Sequence, residues 1–348
     1  MPVLALAGLI GVAFTLSACG SDDSSGGGGG GEEQKAKIGV ILPDTESSVR
    51  WETADRPALK AAFENAGVDY MIDNAEGVAS RMTTIADQMI TQGVTVLAIV
   101  NLDNASGAAI EEKAESQGVA TIDYDRLTLG GKSDYYVSFD NTRVGELQGE
   151  GLAKCLGEGP ANIVYLNGSP TDSNATLFSK GAHSVLDPKS DYKVVAEQAV
   201  PDWDNTKATT IFEQMFTQTK GKIDGVLAAN DGLAGSVISI LQKNNVAGEV
   251  PVTGQDATVQ GLQSILAGEQ CMTVYKSAKK EAGALADLAI AVAHGEKGET
   301  NGTSQDTEGD REVPSVLLDP VAITKDNVKT VVDDGAVDKA DLCKGFEK

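Results

Sequence analysis

From Lys37 onward the chain alternates short apolar runs with amphipathic stretches. The runs "KIGVIL", "VDYMI", "VTVLAIV", "VATIDY", "YYVSF", "NIVYL", "YKVVAEQAV", "GVLAA", "VPVTG" and "MTVYK" are rich in β-branched residues and read as strands. Between them, "ADRPALKAAFENAG", "TTIADQMITQG", "GAAIEEKAESQG" and "GLAGSVISILQKNN" carry apolar residues at helical spacing, and several end in Gly, a frequent helix terminator. Near-continuous apolar strands separated by helices describe a parallel sheet built from βαβ crossovers. The predicted class is α/β with doubly wound parallel sheets. Ten strands exceed one ordinary sheet of this kind, so two similar domains are expected, with the main break near Asn141. The later segment "VPSVLLDPVAI" must rejoin one of the two sheets.

The N-terminus is of another kind. Met1 to Ala18 is apolar, and Cys19 is followed by the polar, glycine-rich "GSDDSSGGGGGGEEQK". An apolar core ending in small residues is an export signal rather than a fold element, and the run lies at the short end of what a membrane span needs. Leu16-Ser17-Ala18-Cys19 resembles the lipobox of bacterial lipoproteins, which makes Cys19 the expected lipidation site and Gly26 to Gly31 a flexible tether. Residues 1–36 are therefore expected to be signal and tether. The mature protein is expected to be extracytoplasmic, held by lipid on the outer face of the cell membrane.

Charge and cysteine content narrow the partners. Against 28 basic residues stand 51 acidic ones, a formal charge of −23, and such a field repels nucleic acid and anionic membrane surfaces. Outside the cytoplasm, one pair among Cys155, Cys271 and Cys343 can form a disulfide and leave one thiol over; the spacing does not choose the pair. That spacing is unlike a zinc site, and His183 and His294 lie far away in sequence, so neither a metal nor a cofactor is expected.

Ligands of open parallel sheets bind beyond the carboxyl ends of the strands. Polar residues gather there in this chain: Arg50 and Trp51, then Asn101, then Asp123, Asp125 and Arg126, then Asp140 and Asn141. Asn167, Asp172 and Asn174 follow, then Asn230 and Asp231, then Gln255 and Asp256, and finally Lys276. Asn and Asp ahead of a helix are favoured N-caps, the expected role of Asn101, Asn141 and Asp231. Capping does not account for Arg50, Arg126 or Lys276, because cations at helix N-termini oppose the macrodipole. Three of them call for a shared partner. Carboxylates, amides and guanidinium groups together grip hydroxyls in pairs, and a tryptophan adds a flat apolar face. The set fits a neutral polyhydroxylated ligand, a sugar. No glycine-rich loop follows a strand, which argues against a nucleotide. Asp125 with Asp256 invites a glycosidase reading. Hydrolysis needs a carboxyl raised by an apolar setting, however, and each carboxylate here has Arg, Lys or Asn neighbours that favour ionisation. The chain is expected not to be an enzyme.

The motifs "KIGV", "RWE", "YDRL", "SFDNTRVGELQG", "GSPTDSNA", "AANDGLAG", "TGQDATVQG", "MTVYK" and "VPSVLLDPVAITKDN" carry a family resemblance from about Lys37 almost to the end. The mature chain resembles periplasmic sugar-binding proteins of ABC transporters, of the type I, ribose-binding-like fold. It is most similar to the D-xylose-binding and multi-sugar-binding branch. The resemblance implies two lobes joined by a three-segment hinge, residues 37–140 plus 277–315 and residues 141–276 plus 316–348. Matched motif to motif, it places sugar contacts on Arg50, Arg126, Asp172, Asn174, Asn230, Asp256 and Lys276, with Trp203 stacking on the ring. "NGSP" stands here where the family pattern has "GGSP". The implied function is capture of a monosaccharide by hinge closure and delivery, as a monomer, to an ABC permease. Xylose leads, with glucose, galactose and arabinose behind it. An alternative is a sugar-sensing subunit that signals to a chemoreceptor or two-component system. A cytoplasmic sugar-responsive repressor would need a helix-turn-helix ahead of "KIGV", where the signal and tether stand.

Overall fold

The computed structural model describes residues 36–344, so the expectations for the export signal, Cys19 and the tether lie outside the described residues. The strands are β1 (Lys37–Leu42), β2 (Asp69–Asn74), β3 (Val96–Ile99), β4 (Ala120–Tyr124), β5 (Tyr135–Phe139) and β6 (Ala161–Asn167). They continue with β7 (Tyr192–Ala199), β8 (Gly225–Ala228), β9 (Thr273–Tyr275), β10 (Gly302–Asp306), β11 (Arg311–Leu318) and β12 (Val321–Ile323). Seven of them form one sheet in the order β10-β11-β5-β4-β3-β1-β2, parallel except for the β10–β11 hairpin. A second, parallel sheet runs β7-β6-β8, and β9 and β12 pair antiparallel beside it. The class is α/β with mostly parallel sheets, as the pattern predicts.

β1 and β3 are buried almost throughout because helices cover both faces of the sheet. One face packs Ile38, Val40, Val96 and Ile122 against Leu285 and Ala289 of the helix Ala278–Ala293; the other packs Ile41, Leu97 and Ile99 against Met82 and Met89. "VPVTG" is not a strand. It makes two isolated bridges, Val252 to Val226 and Val250 to Ala247, but no ladder, and Pro251 between them has no N–H to extend one. This stretch still links β8 to β9: Cys271 N donates to Val252 O at 2.8 Å, and Asp256 N to Val274 O at 2.8 Å.

The chain passes between the two sheets three times. It leaves the first through the helix Asn141–Leu156. It returns after β9, through Lys276 into the helix Ala278–Ala293, so "MTVYK" itself stays with the second sheet. It leaves again between Leu318 and Val321, which keeps the first sheet's last strand three residues past 315.

Helices Asn141–Leu156 and Ser173–Leu186 approach closely because glycines face each other. A Cβ on Gly145 would stand 1.9 Å from Phe178 O, and one on Gly181 2.1 Å from Thr142 O. The approach leaves Asn141 Nδ2 2.8 Å from Asn174 Oδ1. The three cysteines resolve into a Cys155–Cys271 disulfide, Cα atoms 6.5 Å apart, and a half-buried free Cys343. Among the described residues no helix is long and apolar enough to cross a membrane.

Candidate ligand-binding site

All eight residues predicted to contact ligand line one cavity at the carboxyl ends of the strands, about 350 Å³ including its open mouth. Trp51, Asp125, Ser47, Ser48, Phe178 and Gln255 line it as well. Gln255 stands among the strand-end polar residues but is not among the predicted contacts, and Ser47, Ser48 and Phe178 escaped the reading of the sequence. Phe178 lies one helical turn beyond Asn174 and so shares its face, and Gln255 precedes Asp256. The serines carry no signal of their own.

Arg50 follows β1 and starts a single π-type helical turn, Trp51–Asp55. Its guanidinium grips Asp55 at both oxygens (Nε–Oδ2 2.9 Å, Nη2–Oδ1 2.8 Å) and reaches Asp125 Oδ2 at 3.2 Å and Glu281. Tyr124 Oη donates to Asp55 Oδ1 at 2.5 Å. Burial disfavours the Arg50 charge, but Asp55, Glu281 and Asp125 more than offset it and raise its pKa well above the ordinary value.

Arg126 corrects one expectation: no helix follows it, since β4 runs through a loop into β5. Its Nη1 donates to Asn101 O at 3.1 Å and its Nη2 to Ser47 Oγ at 3.4 Å, while Nε stands 3.1 Å from Asp172 Oδ2. Trp51 underlies both guanidinium groups, 4.5 Å from Arg50 and 5.9 Å from Arg126, a favourable use of its electron-rich face. Between the arginines, Asp125 has φ 62°, outside the usual range for a side-chain-bearing residue. Its carbonyl is held by Tyr136 Oη, Ser138 Oγ and Asn174 Nδ2, each at 2.8 Å. Burial opposes the Asp125 charge, yet Lys276, Arg50 and Arg126 outweigh it and hold the carboxyl at about 2.

On the second sheet's side, several predicted contacts already serve the fold. Asp172 caps the helix Ser173–Leu186 through Oδ1, and its Oδ2 accepts from Trp203 Nε1 at 3.1 Å. Asn174 accepts from Asn141 and Tyr136 and donates to Asp125, so its amide is fully engaged. Asn230 caps the helix Asp231–Lys243 through Oδ1, 2.9 Å from Leu233 N.

The caps differ from expectation by one or two residues. Asp103, Asp140 and Asn230 cap the helices, not Asn101, Asn141 and Asp231. Asn101 donates to Thr128. Asp231, pushed by burial first and by Asp256 next to about 7, accepts from Thr258, Gln270 and Thr273 and backs the loop that carries Asp256. Asp123 turns inward and accepts from Thr128 N, Thr128 Oγ1 and Ser133 Oγ, which folds the loop after Arg126.

What remains uncommitted defines the chemistry. Among the described residues the Asp256 carboxyl accepts no hydrogen bond, the Asn230 Nδ2 donates none, and Gln255 Oε1 is buried without a partner. Lys276 Nζ uses one contact, Asp125 Oδ2 at 3.5 Å. Free acceptors and free donors thus share one cavity with Trp51, Phe178 and Trp203. Burial raises the Asp256 pKa, and Lys276 and Arg50 counter it only in part, so not every lining carboxyl is driven to ionise.

The profile of the periplasmic binding protein domain matches residues 38–297, and the chain belongs to that family. It is 36% identical to the D-xylose-binding periplasmic protein of Haemophilus influenzae, over 86% of this chain and 90% of that one. It is 33% identical to the multiple sugar-binding periplasmic receptor ChvE of Rhizobium radiobacter, over 98% of both. A carbohydrate transporter solute-binding protein from Chloroflexus aurantiacus, solved in complex with D-glucose, superposes with a TM-score of 0.81 at 27% identity. That match covers 88% of this chain and 98% of the other.

Proposed function

We propose that this protein captures a neutral monosaccharide, xylose before glucose, galactose or arabinose, and delivers it to an ABC permease. The observation that carries the reading is the cavity itself. Its uncommitted groups, Asp256, Asn230 and Lys276, pair acceptor with donor beside two tryptophans, which is the chemistry a ring of hydroxyls requires. The relative named for D-xylose supports placing xylose first. Two lobes, one on each sheet, close around the ligand by bending at the three connecting segments, and the closed form docks on the permease. A lipid on Cys19 holds the protein at the outer face of the membrane, as a monomer, and no bond in the sugar is broken. A second reading, a sensing subunit, draws support from the relative named as a receptor. Calorimetric titration with a panel of pentoses and hexoses tests the first claim: the expected result is saturable binding, tightest for xylose. Heat-free, shift-free titrations with every aldose would sink it. Membrane fractionation with and without Cys19→Ser tests the anchor.

A further inference from the structure

Tyr275 and Ser277 flank Lys276, and both donate to one carboxylate oxygen near the C-terminus. Tyr275 Oη lies 2.5 Å from Asp334 Oδ2, and Ser277 Oγ lies 2.8 Å from the same atom. Along an extended chain alternate side chains point to opposite sides. Two bonds to Asp334 on one side therefore orient Lys276 to the other, where it lines the cavity. The tail that carries Asp334 is itself anchored: Val328, Val331, Val337 and Leu342 share an apolar cluster with Tyr275 and Ala257, the residue after Asp256.

Resting on the sugar-binding reading above, we propose that Asp334 is a positioning residue for the binding site. It pins the crossing segment from behind so that Lys276 meets the sugar and Asp125. The donors hold the Asp334 carboxyl below the usual carboxylate range, Tyr275 first and Ser277 next, so the pin is ionised at neutral pH. Lys276 has little else to fix it, since its ammonium makes one long contact to Asp125 and stands 5.6 Å from the Phe178 ring centroid. Ser277 also caps the following helix through Lys280 N, so a shift of the segment would disturb the helix start as well.

The test is a double-mutant cycle on the full chain, read by calorimetry with xylose and by thermal melts without sugar. Asp334→Ala is expected to weaken sugar binding about tenfold, the loss typical of a charge-assisted hydrogen bond, with the fold retained. In a Lys276→Gln background the same change is expected to cost less than twofold, because the pin acts through Lys276. The pair Tyr275→Phe with Ser277→Ala should reproduce the loss should Asp334→Ala fold poorly. Unchanged affinity in Asp334→Ala or in the pair, while Lys276→Gln weakens binding, overturns the inference alone. Equal losses in both backgrounds also overturn it, since they mark general loosening. No sugar binding by the unaltered protein overturns the functional reading, and this inference with it.

Discussion

The indole of Trp203 rests on the backbone of Gly168: a Cβ on that glycine would stand 2.0 Å from Cη2 and 2.3 Å from Cζ2. The ring has no other place to go, because Asp172 holds its Nε1 and Phe178 meets it edge-on at 6.5 Å. Gly168→Ala is therefore expected to displace the indole and weaken sugar binding, and the overpacking itself to cost about 1–3 kcal/mol of stability. Circular dichroism should stay native. Wild-type affinity in this variant would mean that Trp203 does not face the sugar.

Asp256 and Asp172 should separate binding from folding. Asp256→Ala removes a carboxyl that accepts no hydrogen bond among the described residues, so stability is expected to hold while affinity falls tenfold to about a hundredfold. Asp172→Ala also removes a helix cap and the Trp203 anchor, and is expected to cost about 1 kcal/mol of stability from the cap alone. Comparing urea midpoints with sugar affinities for the two variants checks this. Equal stability losses would contradict it.

Glu281 sets a slope in the stability profile. Burial pushes its carboxyl up to about 8, against which Arg50 pulls only in part. A carboxyl that binds its proton more tightly folded than unfolded stabilises the fold most below its ordinary pKa near 4.5, and the contribution is lost as pH rises through about 8. Thermal midpoints between pH 5 and 9 should fall with pH, and fall less steeply in Glu281→Gln. Parallel profiles for the two proteins would rule this out.

The disulfide joins residues 116 apart, so in the chain-entropy account it contributes about 4–5 kcal/mol. Reduction, or Cys155→Ala with Cys271→Ala, is expected to lower the thermal midpoint substantially and leave sugar affinity nearly unchanged, since neither cysteine lines the cavity. A protein lacking residues 1–35 should release one reactive thiol, Cys343, when denatured without reductant. Three thiols under those conditions would disprove the pairing.

Much of the site is legible in the strand ends. Arg50, Arg126 and Lys276 stand out because capping does not account for a cation there, and all three line the cavity, although Arg50 also finds a local partner in Asp55 and no helix follows Arg126. The caps are less legible. Asn101 and Asp103 are equally good candidates by composition, and Asp103 takes the role because its backbone is extended, φ −157° and ψ 158°, where its oxygen meets Ser106 N. Asn174 and Asp172 read as ligand contacts, yet partners far along the chain engage them, as Asn141 Nδ2 and Trp203 Nε1 show.

The sequence by itself determined the α/β class, the alternation that builds two parallel sheets, and the polar residues carried at the strand ends, because periodicity and residue chemistry are local properties. Only the tertiary structure decided which of those residues are consumed by the fold and which stay free, which cysteines pair, and that Asp334 stands behind Lys276. Those outcomes depend on contacts between segments tens to hundreds of residues apart, and hydrogen-bond capacity is allotted only when such segments meet.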